Sequence, residues 1–134
     1  MTTFDTVYEY FSEISVGIDT YFLPKNIEEQ HKLIANGIRI FNSKLDDNLK
    51  IDITTEEFSR ELSENEITLF AHCMKLHCLN KMYLDFINTY SMFQKEIGFK
   101  DYKAQVDSKL AVVEMEKEEI SDLVRLILPV EVGE

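Results

Sequence analysis

From Ser63 to Tyr90 the chain reads S-ENEITLFAHCMKLHCLNKMYLDFINTY, with no Pro or Gly. Ser63 can cap a helix there, and Glu66, three residues on, can reach back to the cap. At 1.5 Å per residue such a helix is roughly 40 Å long. Its apolar residues do not form one stripe. Ile67, Phe70, Ala71, Met74 and Cys78 share one side. Leu69, Cys73, Leu76 and Ile87 lie nearly opposite, and Leu79, Met82, Tyr83, Phe86 and Tyr90 fill a third sector. A helix apolar on several sides must be covered on several sides. This stretch therefore predicts an all-α protein: a bundle of four to five helices around a long central helix (about 63–90) and a long C-terminal helix (about 101–128).

The coverage has to come from the remaining residues. The whole chain, 134 residues, suits one helical domain, with 129–134 as a short tail. Apolar residues make up 45%, enough for a core, and four Gly with two Pro leave room for long regular elements. Residues 3–16 read as a first helix. Phe4, Val7, Tyr8, Phe11, Ile14 and Ile18 fall in one sector, Thr2 or Thr3 serves as cap, and Gly17 as stop. Asp19 to Lys25 reads as a connector, because Leu23 precedes Pro24 and is pushed towards extended backbone.

Asn26, with Glu29 three on, starts a second helix whose stripe is Ile27, Ile34, Ile38, Phe41 and Leu45, flanked by Leu33 and Ile40. Gly37 in that stripe predicts a close helix crossing. The helix should fail at Asp46-Asp47-Asn48, where carboxylates meet the negative end of the dipole. LKIDI (49–53) alternates with period two. With no second strand evident, it is expected as an extended linker, followed by a short helix from Glu56 to Leu62 presenting Phe58 and Leu62.

Ser91–Lys100 is a break, with Gly98 as its turn. In the last helix Tyr102, Val106, Leu110, Val113, Ile120, Val124 and Ile127 step by threes and fours, close to a heptad seam. Lys117 sits in that seam and is expected to snorkel its ammonium to water. Pro129 ends the helix, and VEVGE is expected to dock on a partner or move freely.

The net charge of −11, 25 acids against 14 bases, disfavours a nucleic-acid-binding surface and anionic membranes. No signal peptide and no membrane span are expected. Cys73 and Cys78 are five apart on one helix, so they cannot bridge each other and read as small buried hydrophobes. Cys73 and His77 share a face but find no further ligands for zinc. Glu28 and His31 form a single Glu-x-x-His, and the second such motif that a di-iron bundle needs is missing. His72 is expected on a solvated strip with Thr68 and Lys75. No nucleophile elbow, P-loop, dinucleotide or HExxH pattern occurs. The expectation is therefore no enzyme, no catalytic residue, no metal and no cofactor. Two acidic clusters, Glu56, Glu57, Glu61, Glu64 and Glu66 about Arg60, and Glu114, Glu116, Glu118, Glu119 and Asp122 about Lys117, read as solvated faces or as a surface that repels a polyanion.

Three segments, FNSKLDDNLKIDIT, ELSENEITLFAHCMKLHCLNKMYLDF and FKDYKAQVDSKLAVVEMEKEEISDLVRLI, follow one another as helix, acidic end, capped long helix, turn and closing helix. Over about 40–128, with Leu45, Glu66, Met74, Leu79, Phe99 and Tyr102 as its marker positions, this resembles the small helical head–tail connector or adaptor (neck) proteins of tailed bacteriophages. Cys78 stands near the place where that family usually carries a Trp. The resemblance implies a structural virion protein of the neck, made in the bacterial cytoplasm. Its subunits would form a homo-oligomeric ring, a dodecamer being one candidate, between portal and tail or neck proteins, with genomic DNA passing through unbound. The alternative is a soluble cytoplasmic helical adaptor or regulator that binds a partner helix in an apolar groove around Tyr21 to Leu23.

Overall fold

The computed structural model describes residues 1–91 and 98–128. Among the described residues four helices carry the fold: α1 (Phe4–Ile14), α2 (Ile27–Leu45), α3 (Glu64–Tyr90) and α4 (Phe99–Ile127). A single 3-10 turn, Thr20–Phe22, lies between α1 and α2. The central helix is α3, and α1, α2 and α4 all pack on it. The all-round apolar character of Ser63–Tyr90 is thus answered by three neighbours. Leu69, Phe70, Ala71, Cys73 and Met74 lose all contact with solvent.

The local signals at helix ends act as their chemistry dictates. Ser63 accepts from the Glu66 amide while the Glu66 carboxylate accepts from the Ser63 amide, a closed capping box. Asn26 accepts from the Glu29 amide at 2.8 Å, and Thr3 from the Thr6 amide. The Asp46 residue leaves α2 in the left-handed region (φ 51°). Asn42 then clamps the departing chain: its amide donates to the Leu49 carbonyl (2.9 Å) and its side-chain oxygen accepts from the Leu49 amide (3.0 Å). Leu23 is extended before Pro24. Gly17 takes φ +95°, three residues past the end of α1.

Residues 49–62 depart from expectation. Instead of a linker and a short helix, Ile51–Asp52 (β1) pairs antiparallel with Glu57–Phe58 (β2). The Asp52 carboxylate accepts from the Thr54 and Thr55 amides, which folds the turn, and Glu56 sits at φ 55°. A helix cannot pass through a left-handed residue. The partner that makes the strand worthwhile comes from far away in sequence. The Phe58 amide donates to the Thr2 carbonyl and the Phe4 amide to the Glu56 carbonyl, both at 2.9 Å, so the N-terminus adds an edge to the hairpin. Phe58 and Leu62 are buried as anticipated. Phe58 stands in an aromatic relay: Phe4–Phe58 at 5.4 Å, Phe58–Phe70 at 5.0 Å and Phe70–Phe41 at 5.5 Å tie α1, the hairpin, α3 and α2 together. Each such pair adds about 1 kcal/mol beyond its area.

Two further corrections concern helix faces. Ile27 is 62% exposed, since cover over the α2 stripe begins only at Leu33 and Ile34. On α4 the inward seam is Tyr102, Val106, Lys109, Val113, Glu116, Ile120, Leu123 and Ile127, a strict four-three heptad alternation. Glu116 therefore holds the seam position expected for Lys117, and Lys117 is exposed. Leu110 and Val124 flank this seam half-buried, Val124 packed on the core, while Lys109 and Glu116, which carry no hydrophobic signal, join it. Tyr102, Val106, Val113, Ile120 and Ile127 keep their place. Within the break expected at Ser91–Lys100, Gly98 takes φ +85° as the N-cap of α4, which already includes Phe99 and Lys100; residues 92–97 and the tail at 129–134 lie outside the described residues.

Candidate functional site

Antiparallel packing of α3 and α4 is set by specific pairs. Phe86 stacks on Tyr102 (centroids 6.0 Å), and His72 meets Glu116. The two seam residues that are not apolar are each answered. Lys109 places its ammonium 4.9 Å from the Phe86 ring centroid. Glu116, 7% exposed, has its carboxylate 2.5 Å from His72 Nδ1 and 3.7 Å from Lys75 Nζ. His72 and Lys75 were expected to be solvated. Instead they turn one helix strip into the receptor for a buried acid, which a sequence lacking a charged partner nearby cannot reveal.

The second feature is a groove of about 770 Å³ between the 3-10 turn, α2 and the middle of α3. Phe22, Leu33 and Cys78 form its apolar floor, and Lys25, Lys32 and Lys81 stand on its rim. It includes the Tyr21–Leu23 segment singled out above. Tyr21 and Leu84 expose 73% and 56% of their surface. The rim is cationic on an acidic chain: three lysines against Glu29 and Asp85. Lys25 is spent on the Thr20 and Tyr21 carbonyls (3.1 Å each) and Lys32 faces Glu28 at 3.5 Å. Among the described residues no carboxylate lies within 4 Å of the Lys81 ammonium or the Arg39 guanidinium. His77, half-buried in the groove wall, is held below its ordinary pKa by burial and then by the charges of Lys81 and Arg39.

The candidate metal residues fall apart. Cys73 is fully buried, and burial pushes its thiol up to about 12; the Cys78 thiol rises to about 11 for the same reason. His77 lines the groove with Cys78 rather than Cys73. Glu28 pairs with Lys32, and His31 with Glu56 at 3.1 Å. Among the described residues no three His, Cys, Asp or Glu side chains gather as metal ligands. No helix there is long and apolar enough to cross a membrane.

The acidic clusters split as well. Arg60 binds Asp47 (2.5 Å) and Glu66 (2.7 Å), tying the end of α2 to the start of α3. Glu61 pairs instead with the N-terminal amine at 3.2 Å. On α4, Glu114, Glu118, Glu119 and Asp122 are exposed, Glu114 paired with Lys117 at 3.6 Å and Asp122 with Arg125 at 2.6 Å, with Val112, Met115 and Leu126 exposed beside them.

A family model described as YomZ prophage protein matches residues 1–129. The chain is 37% identical over 125 residues to the SPbeta prophage-derived uncharacterized protein YomZ of Bacillus subtilis (strain 168), covering 92% of this chain and 94% of that one. No solved structure matches. The helices, the hairpin that closes them and both surfaces described above lie within the matched span, and this bundle belongs to the YomZ prophage protein family.

Proposed function

We propose that this phage-derived helical bundle is a head–tail connector or adaptor subunit, one copy in a ring that lets DNA pass without gripping it. The observation that carries the reading is the outer surface of α4. Glu114, Glu118, Glu119 and Asp122 expose carboxylates on a 29-residue helix braced lengthwise on α3; Lys117 and Arg125 pair with Glu114 (3.6 Å) and Asp122 (2.6 Å), which leaves the face net negative through Glu118 and Glu119. Such a surface, turned inward in a ring, repels phosphates, so DNA slides past. Val112, Met115 and Leu126, exposed beside it, offer an apolar edge to a neighbouring subunit. Prophage membership and the helix pattern of 40–128 agree with this role. On this reading the protein performs no bond chemistry, needs no cofactor, and meets portal and tail or neck proteins in the virion.

The test is native mass spectrometry of the full chain, alone and with the portal protein of the same prophage. A discrete oligomer or a portal complex is expected, with no retention on duplex DNA at low salt. A strict monomer at high concentration that ignores the portal overturns the reading.

A second reading, a helical adaptor that takes a partner helix, is favoured by the groove beside Tyr21–Leu23. It predicts a monomer or dimer that captures a helical peptide and never enters virions.

A further inference from the structure

The groove and the end of the chain are complementary, and their positions in the fold decide which copy supplies what. Residues 129–134 read Pro-Val-Glu-Val-Gly-Glu. In extended backbone, successive side chains point to opposite sides. Val130 and Val132 would then face one way and Glu131 the other. The groove offers the matching pair of surfaces, an apolar floor of Phe22, Leu33 and Cys78 below a rim of Lys25, Lys32 and Lys81 interspersed with Glu29 and Asp85. Lys81, with no carboxylate within 4 Å among the described residues, is the natural contact for a glutamate.

The same chain cannot supply that tail. The pairs His72–Glu116 and Phe86–Tyr102 define the antiparallel register of α3 and α4. Extended along it, Leu128 comes level with a point four positions before the start of α3. From there His77 lies about 25 Å along the helix axis and Lys81 about 32 Å. Six extended residues reach about 20 Å.

We infer that the groove between the 3-10 turn, α2 and α3 receives residues 129–134 of a second copy of the chain, Val130 and Val132 on the floor and Glu131 against Lys81. Such a contact is head-to-tail: tail and groove are different surfaces, so it propagates around a ring or along a filament. The inference deepens the ring reading and rests on it for the second copy.

The probe is a synthetic peptide of residues 128–134, titrated into the isotope-labelled full chain. The amide resonances of Phe22, His77 and Lys81 are expected to move saturably. The His77 imidazole should titrate at higher pH in the complex, because an anion offsets the charges that now depress it. Lys81→Glu should weaken binding at least about tenfold and Lys81→Arg should retain it. In the full chain, Lys81→Glu alone and Glu131→Lys with Glu134→Lys should each reduce self-association, and combining all three should restore it. Lys81 is exposed, so these changes leave the core alone. Equal binding of a peptide with both glutamates reversed overturns the inference. So does a groove whose resonances move with protein concentration but not with peptide, since a different segment of the second copy then sits there. A ring that assembles on the portal while the peptide leaves the groove untouched overturns the tail contact and spares the ring. Peptide binding by a chain that never assembles on a portal does the reverse.

Discussion

His72 Nδ1 lies 2.5 Å from the carboxylate of Glu116, 44 residues away in sequence and across the α3–α4 interface. An acid at a central heptad position sets the register of two long helices, because only one alignment brings it to His72 and Lys75. Glu116→Ala should cost about 2 kcal/mol, read from the urea midpoint at pH 7, since it strands two partly buried polar partners, His72 and Lys75. Replacing both members, His72→Leu with Glu116→Leu, should cost less than Glu116→Ala alone. Additive losses across His72→Leu, Glu116→Leu and the double variant would show that the pair is not coupled.

Gly37 allows α2 to cross α3 at close range. A Cβ there would meet Met74 Cγ at 2.9 Å and Phe70 Cε1 at 3.2 Å. Gly37→Ala gains about 1 kcal/mol of helix propensity. Overpacking costs about 1–3 kcal/mol, and neither neighbour is free to yield, as both are fully buried. We expect a net loss of about 1 kcal/mol. In a Met74→Ala background the same change should become stabilising. Thermal unfolding of the four variants checks it, and a stabilised single Gly37→Ala protein contradicts the crossing.

Acid stability should centre on Arg60. Its hydrogen bonds hold the Glu66 carboxyl below its ordinary 4.5. A lowered folded-state value stabilises above the unfolded one and is lost as pH falls through the folded value. The contribution is therefore complete at neutral pH and fades below about pH 4.5. Arg60→Ala should cost about 1 kcal/mol at pH 7, modest because the side chain is 40% exposed. The gap from the parent should close towards pH 3. Equal destabilisation at both pH values would remove the ionic explanation.

The two thiols should behave as core atoms. With their pKa values raised to about 12 and about 11, Cys73 and Cys78 hold almost no thiolate at pH 8. An aromatic disulfide reagent should leave both unmodified over minutes in buffer and modify both at once in denaturant. On prolonged exposure in buffer, Cys78, at the groove, should react before Cys73. Prompt reaction of Cys73 in the native protein would mean that the α3 core opens far more often than its packing implies.

Much of this was legible from residue order. Ser63 with Glu66, Asn26 with Glu29, Asp46 after Leu45, and Leu23 before Pro24 are decided within four residues, where backbone sterics and the nearest side chain dominate. The long apolar periodicity of Ser63–Tyr90 likewise required cover on several sides, and Gly37 in a helical stripe signalled a close neighbour. Tertiary structure alone decided what depended on a distant partner. The 51–58 hairpin exists because Thr2 and Phe4 supply its edge. Glu116 is buried because His72 and Lys75 wait across the interface, and it displaces Lys117 from the seam for that reason. The cationic groove forms only when the Tyr21–Lys25 connector is laid against Lys81, which is separated from it by the whole of α2 and the hairpin. Local signals carry the energies of single turns, whereas a buried charge or a strand edge is settled only when the far side of the molecule arrives.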